Sequence, residues 1–216
     1  MRVIAIDGPA GAGKSTVARR VAAATGLPFL DTGAMYRCVA LSVLRHSVDP
    51  YDHDATAAVA RRLEVRVDGE KVEMDGEDVS SAIREPGVNS VVSVIAAHGG
   101  VRDVMRGAQR EWAARAGGGV VEGRDIGTVV FPDADVKIFL TASPMRRAAR
   151  RVEQSGGDIH EVARSIEDRD RIDSTRQDSP LRPAEGSITV DSSDMTVDQV
   201  VEAIVRHYRD KCGEDR

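Results

Sequence analysis

The sequence has 216 residues, enough for one substantial core with attached lobes but not for a string of independent domains. Hydrophobic residues make up 41% and charged residues 30%, the balance of a soluble globular chain, and a net charge of −5 argues against a general nucleic-acid binder. No apolar run approaches the ~20 residues of a membrane-spanning helix.

Two distant cysteines, Cys38 and Cys212, and a chain that opens directly on a strand-like run give the expectation of a cytoplasmic protein with no metal cluster. With aromatics at 3%, the core must be built mainly from Val, Ala, Leu and Ile.

Residues 3–7, VIAID, read as a short buried strand. The segment from Lys14 to Thr25 reads as a helix, with Val17, Val21 and Ala24 at helical spacing. PFL at 28–30 is a second strand, and Asp31 or Thr32 then caps a helix over about 34–46. Residues 63–74 change period: Leu63, Val65 and Val67 alternate, DGEK turns, and VEM follows, which predicts a β-hairpin inside an inserted lobe. A helix follows over 101–112, with Val101, Val104, Met105, Ala108 and Trp112 on one stripe. Strands are expected at about 119–122, 136–140 and 187–191. Two Arg-rich helices are expected over 143–153 and 158–173. The last helix opens on a capping box, Thr196 to Gln199, and its apolar face is Val197, Val200, Val201, Ile204, Val205 and Tyr208.

Alternating strands and helices imply an α/β fold, a three-layer arrangement with a parallel sheet covered on both faces. Ligands in such sheets bind at the carboxyl ends of the strands. The first such end carries the strongest signal in the chain. Gly8, Gly13, Lys14 and Ser15 satisfy G-x-x-x-x-G-K-[ST], with Pro9, Ala10, Gly11 and Ala12 between them and Thr16 after, directly between a strand and a helix. Small residues let successive backbone N–H groups converge on an anion, and the helix N-terminus adds partial positive charge. Lys14 is suited to the β- and γ-phosphates of ATP, and the Ser15 hydroxyl to Mg2+. GTPases normally add N-K-x-D for guanine; the one asparagine here, Asn89, is followed by Ser90, which argues against a GTP switch.

Two further segments follow strands and are expected to face this loop across a crevice. DTGAMYR (31–37) supplies Thr32, Tyr36 and Arg37; EGRDIGTVVFPDA (122–134) supplies Arg124 and Asp125. Together with "RDRIDSTRQDSPL" and "DSSDMTVDQVVEAI", these segments make the chain resemble the bacterial cytidylate kinases over nearly its whole length, in family order. The resemblance implies an adenylate-kinase-like P-loop fold in three parts: a core (about 1–33, 117–143 and 177–216), an acceptor-binding lobe (about 34–116) and a helical lid (about 144–176). It implies phosphoryl transfer from ATP, with Mg2+, to CMP or dCMP. No exposed apolar stripe stands out, which gives the expectation of a monomer, and charge and hydropathy give that of no nucleic-acid or membrane partner.

Carried over by motif, Arg37, Arg124 and Arg176 bind the acceptor phosphate. Asp173 binds the sugar hydroxyls with Arg169 beside it, and Ser93, Arg102 and Asp125 read the cytosine. Among the lid arginines, Arg147 approaches the donor. The chemistry of the base agrees: a carboxylate accepts from the cytosine N4 amino group, whereas uracil would oppose acceptor to acceptor. Thr141 stands where some family members carry an acid, so a second carboxylate to orient Mg2+ comes from Glu122 or Asp7, or is absent. Other readings are a P-loop kinase for UMP, AMP or shikimate, and a nucleotide-binding module without transfer activity.

Overall fold

The apolar run at the start of the chain becomes β1 (Arg2–Asp7), with every residue after Arg2 buried. In the computed structural model, which describes residues 1–213, it is followed by α1 (Lys14–Thr25) and β2 (Phe29–Asp31). Next come α2 (Thr32–Arg45), α3 (His53–Arg62), β3 (Val65–Asp68), β4 (Lys71–Met74), β5 (Glu77–Asp78) and a 3-10 turn at Ala82–Arg84. Then follow α4 (Pro86–Ile95), α5 (Gly99–Ala116), β6 (Gly118–Gly123), a π-helical turn at Ile126–Val130 and β7 (Val136–Thr141). The chain ends through α6 (Pro144–Ser155), α7 (Ile159–Thr175), β8 (Ile188–Asp191) and α8 (Val197–Cys212). The chain forms two compact units: one joins residues 1–29 to the chain from Ala116 onward, and the other is Leu30–Arg115.

The first unit is built on a sheet of order β2-β6-β1-β7-β8. β1 runs parallel to both neighbours, so that Ile4 lies opposite Val120 on one side and Val136 on the other. β8 adds in parallel, with Ile138 opposite Ile188. Alternation along β1 sends Ile4 and Ile6 to one face. There they join Val17 and Val21 of α1 and Val200, Ile204 and Tyr208 of α8 in one apolar cluster. Burying such side chains contributes about 1.5–3 kcal/mol each. α1 begins and ends where expected, bounded by Gly13 and Gly26. The expected capping box is present: Gln199 N–H donates to Thr196 Oγ1 at 3.2 Å, and Thr196 N–H to Gln199 Oε1 at 2.9 Å. Val197 is a correction to the expected apolar face of α8. It is 37% exposed, because it sits in the first turn, ahead of the part of the helix that packs on the sheet. α6 and α7 carry their own small apolar cluster of Ala148, Ala163 and Ile166, with Ile159 and Val162 against it, separate from the core of the sheet.

In the second unit α2 is buried along most of its length, from Met35 to Val43. Asp31 is its cap, accepting from Ala34 N–H at 3.0 Å, so the helix starts at Thr32 rather than at 34. The expected hairpin forms, with Val65 opposite Met74 and Val67 opposite Val72, and gains β5 as a third antiparallel strand. α5 is longer than the expected 101–112 and turned from its predicted stripe. Its buried positions are Val101, Met105 and Ala113 together with the polar Arg102 and Gln109, while Val104, Ala108 and Trp112 are only half-buried. Two elements were not expected: α3, capped by Asp52, and α4, which starts on Pro86. Their Ala-rich and Pro-Gly starts mask a helical period.

Behind α3, His98 is buried; it shares a hydrogen bond with Thr56 Oγ1 at 2.8 Å and stacks on His53 with ring centroids 3.9 Å apart. Burial, and then the neighbouring His53, hold the His98 pKa below its ordinary value. The folded state therefore resists a proton that the unfolded chain accepts, and the stability this neutral ring supports is lost as pH falls through the ordinary histidine range. Urea unfolding of the wild type is expected to weaken between about pH 7 and pH 5, and part of that slope to vanish in His98→Gln.

Candidate functional site

The loop between β1 and α1 has the shape its sequence predicts. At Gly8 the φ angle is +153°, and a Cβ there would lie 1.9 Å from the Leu140 carbonyl oxygen, so β7 admits only glycine at this point. Gly13, at φ +87°, caps α1 with no side-chain partner, leaving the first-turn N–H groups of Lys14, Ser15 and Thr16 without an intrahelical acceptor. That arrangement fits the phosphates of a nucleotide. Lys14 is 7% exposed, and its Nζ donates to the Pro9 carbonyl at 2.9 Å. Burial, then the guanidinium of Arg124, lower its pKa to about 7 against the opposing pull of Glu122.

The loop is held from outside by α6. Arg147, expected to approach the donor, is buried beside the loop: Nε donates to the Ala142 carbonyl at 3.0 Å and Nη1 to the Ala10 carbonyl at 3.0 Å. It also pairs with Asp170. One helical turn on, Arg150 donates to the Ala12 carbonyl at 3.3 Å and to Ser192 Oγ at 3.1 Å. Gly11 lies under this helix, where a Cβ would stand 3.1 Å from Arg147 Cβ.

Beyond β6 the chain forms the π-helical turn, and Asp7 anchors it. Its two carboxylate oxygens accept from Ile126 N–H at 2.8 Å and Gly127 N–H at 2.7 Å. Glu122 is buried as well, and both carboxylates lie within charge reach of Lys14. Just before the turn, Asp125 is buried, and Arg124 donates from Nε to Asp173 Oδ2 at 2.9 Å. Arg176 stands 3.5 Å from the other Asp173 oxygen, and its Nε donates to the Ser179 carbonyl at 2.6 Å. Burial would raise the Asp173 pKa, but Arg124, Arg169 and Arg176 outweigh it and hold the carboxyl below its ordinary value. The first unit therefore gathers Lys14, Arg124, Arg169, Asp173 and Arg176 into one charged cluster.

In the second unit, Arg102 is 1% exposed, donates to the Ala96 carbonyl at 3.0 Å and lies over the Tyr36 ring at 5.8 Å. Arg37 donates from Nη1 to the Ile83 carbonyl at 3.1 Å and to Asn89 Oδ1 at 2.5 Å. Thr32 is buried in the first turn of α2, and Ser93 is half-buried on α4. Sequence reasoning did not single out Arg150 or Asp170. The helical spacing of Arg150 from Arg147, and of Asp170 from Asp173, was the only available sign.

The sequence profile described as cytidylate kinase matches residues 4–210. The chain belongs to the cytidylate kinase family. It is 48% identical to the cytidylate kinase of Mycobacterium avium (strain 104), over 96% of this chain and 93% of that protein. It is also 47% identical to the bifunctional pantoate ligase/cytidylate kinase of Prochlorococcus marinus (strain MIT 9303), over 99% of this chain. The chain spans about half the length of such bifunctional relatives, 46% in that case. Among solved structures, a gluconokinase from Sinorhizobium meliloti 1021 superposes with a TM-score of 0.51 at 14% identity, covering 98% of this chain and 94% of that one. A shikimate kinase from Bacteroides thetaiotaomicron gives 0.50 at 13% identity, covering 98% of each chain. These two likenesses speak to the fold: a parallel-sheet P-loop architecture. Among the described residues, no helix of this cytidylate kinase family member is long and apolar enough to cross a membrane.

Asp7 yields a prediction for this family member. In Asp7→Asn one of the two N–H groups meets an NH2 instead of an acceptor, which is expected to cost about 1–3 kcal/mol in urea unfolding. Burial, outweighing the two N–H donors, raises the Asp7 pKa from 3.8 to about 6. A carboxyl raised on folding favours the native state below its unfolded pKa, and that advantage is lost as pH rises through its folded one. The penalty of Asp7→Asn is therefore expected to shrink between about pH 4 and pH 7.

Proposed function

We propose that this protein transfers the γ-phosphoryl group of ATP to CMP or dCMP, giving ADP and CDP or dCDP. The observation that carries the reading is the 48% identity to a cytidylate kinase across nearly the full length of both chains. The geometry of the first unit supports it, since a phosphate loop and a buried arginine–aspartate cluster are the parts that phosphoryl transfer needs.

The main physical difficulty is mutual repulsion of two phosphate groups that must be brought into line. Main-chain N–H groups of Gly11–Thr16 and the Lys14 ammonium hold the donor phosphates. Arg124 and Arg176 of the first unit hold the acceptor phosphate and offset charge that develops during transfer; Arg37, in the second unit, carries the acceptor-phosphate role that its motif implies. Asp173 keeps the two arginines of its own unit in place and accepts from the sugar hydroxyls, with Arg169 beside it. No covalent intermediate is needed, because the attacking phosphate oxygen is already anionic. Ser15, half-exposed at the start of α1, would hold Mg2+, which would supply charge neutralisation of the phosphates. Asp125, Arg102 and Ser93 read the base, and Tyr36 packs against the Arg102 guanidinium.

An ADP-release assay with Mg·ATP and CMP, dCMP, UMP and AMP tests the reading. CMP and dCMP are expected to turn over far faster than the other two, and equal rates for CMP and UMP would refute it. Arg124→Ala is expected to lower kcat by about a hundred-fold or more while ATP affinity changes by less than about three-fold. Asp125→Asn is expected to reduce the preference for CMP over UMP by roughly ten-fold, read as the ratio of kcat/KM values.

A further inference from the structure

We infer that Asp170 is a positioning residue for the phosphate loop, acting through Ala10 and Arg147. The inference rests on reading the loop as an ATP cradle, and it concerns a carboxylate that the proposed transfer does not otherwise use.

Both polar groups of Ala10 are held by side chains of the α6–α7 hairpin. The Ala10 N–H donates to Asp170 Oδ1 at 3.3 Å, and the Ala10 carbonyl accepts from Arg147 Nη1 at 3.0 Å. Asp170 Oδ2 pairs with the same Arg147 nitrogen, closing a ring of three contacts around one residue of the loop. Arg147 is tied to the Ala142 carbonyl as well, so the ring is anchored at the end of β7. Arg150 holds the next outward carbonyl, that of Ala12. A chain that contains three glycines between residues 8 and 13 has little shape of its own, and these contacts give it one.

A negative charge beside a polyanion site would, taken alone, repel the nucleotide. Here it is paired. Arg147 is only 5% exposed, and without Asp170 its guanidinium would be a buried cation held by neutral carbonyls alone. Asp170 also sits one helical turn before Asp173, the partner of Arg124. One face of α7 therefore touches the donor loop through Asp170 and the arginine cluster through Asp173. Loss of Asp170 thus has two effects of opposite sign: removing charge tightens ATP binding, and releasing Ala10 loosens it. The positioning role requires the second to win.

Three measurements on the full chain test this. In the wild type, the Ala10 amide proton is expected to exchange at least about ten-fold more slowly than an unstructured amide, read by NMR without nucleotide. By calorimetry well below the thermal midpoint, Asp170→Ala is expected to weaken Mg·ATP by about ten-fold while CMP binding stays within about three-fold of wild type, and the midpoint itself falls because Arg147 loses its charged partner. Asp170→Asn keeps an acceptor oxygen for Ala10 but turns an NH2 toward Arg147, so its thermal midpoint is expected to fall while its Mg·ATP affinity stays within about three-fold of wild type. The assignment is overturned by an Ala10 amide that exchanges like an unstructured one. It is equally overturned if Asp170→Ala binds ATP as tightly as wild type or tighter, or if ATP and CMP weaken together. Asp170→Asn binding as weakly as Asp170→Ala would remove the role as acceptor. Should Asp170→Ala fail to fold, the wild-type exchange rate and Asp170→Asn still decide. Turnover of CMP by the wild type is scored separately: a protein that binds Mg·ATP but leaves CMP unphosphorylated refutes the proposed function and not the role of Asp170.

Discussion

Two outward-facing carbonyls, those of Ala10 and Ala12, are gripped by Arg147 and Arg150 from one helix. A peptide group is rigid, so fixing where its C=O points also fixes the N–H of the residue that follows. Holding these carbonyls away from the loop centre is what lets the amides that follow them converge. Gly8 contributes from the opposite side, where the Leu140 carbonyl leaves no room for a side chain. The loop is thus shaped between β7 beneath it and α6 beside it. Its glycines permit the conformation, and its neighbours select it.

A second arrangement follows the same logic with full charges. Asp173 is nearly excluded from solvent, and a lone carboxylate there would be costly. Arg124 and Arg176 approach its two oxygens from different elements, one at the end of β6 and one at the end of α7. The cluster joins residues 52 positions apart in the chain into one unit of charge. Lys14 feels it as well, since Arg124 depresses its pKa while Glu122 opposes that shift.

How much of this could be read from residues alone depended on whether a local rule governed the position. α1 was legible because glycines bound it on both sides, and the start of α8 because a capping box marks it. The phosphate loop was legible because its function constrains spacing. The π-helical turn after Asp125 was not: its main-chain bonds run to residues five positions back, and a distant carboxylate, Asp7, holds its start. Arg102 broke the expected stripe of α5 because hydrogen bonding to the Ala96 carbonyl and packing on Tyr36 override the usual preference of such a side chain for solvent. Arg147 was singled out, but two of its partners are main-chain carbonyls, which leave no trace in the sequence. Asp170 was passed over because, among many acids on an Arg-rich helix, only tertiary contact distinguishes it.

The α6–α7 hairpin has an apolar cluster of its own, and polar groups join it to the loop. Separating the two exchanges hydrogen bonds with protein for hydrogen bonds with water and uncovers little hydrocarbon. Such a step carries a small heat-capacity change, because that quantity tracks newly wetted apolar area. A small heat-capacity change leaves the enthalpy and entropy of separation nearly constant with temperature. The Arg147–Asp170 pair, with side chains 6% and 22% exposed, is shielded from salt more than a surface pair would be.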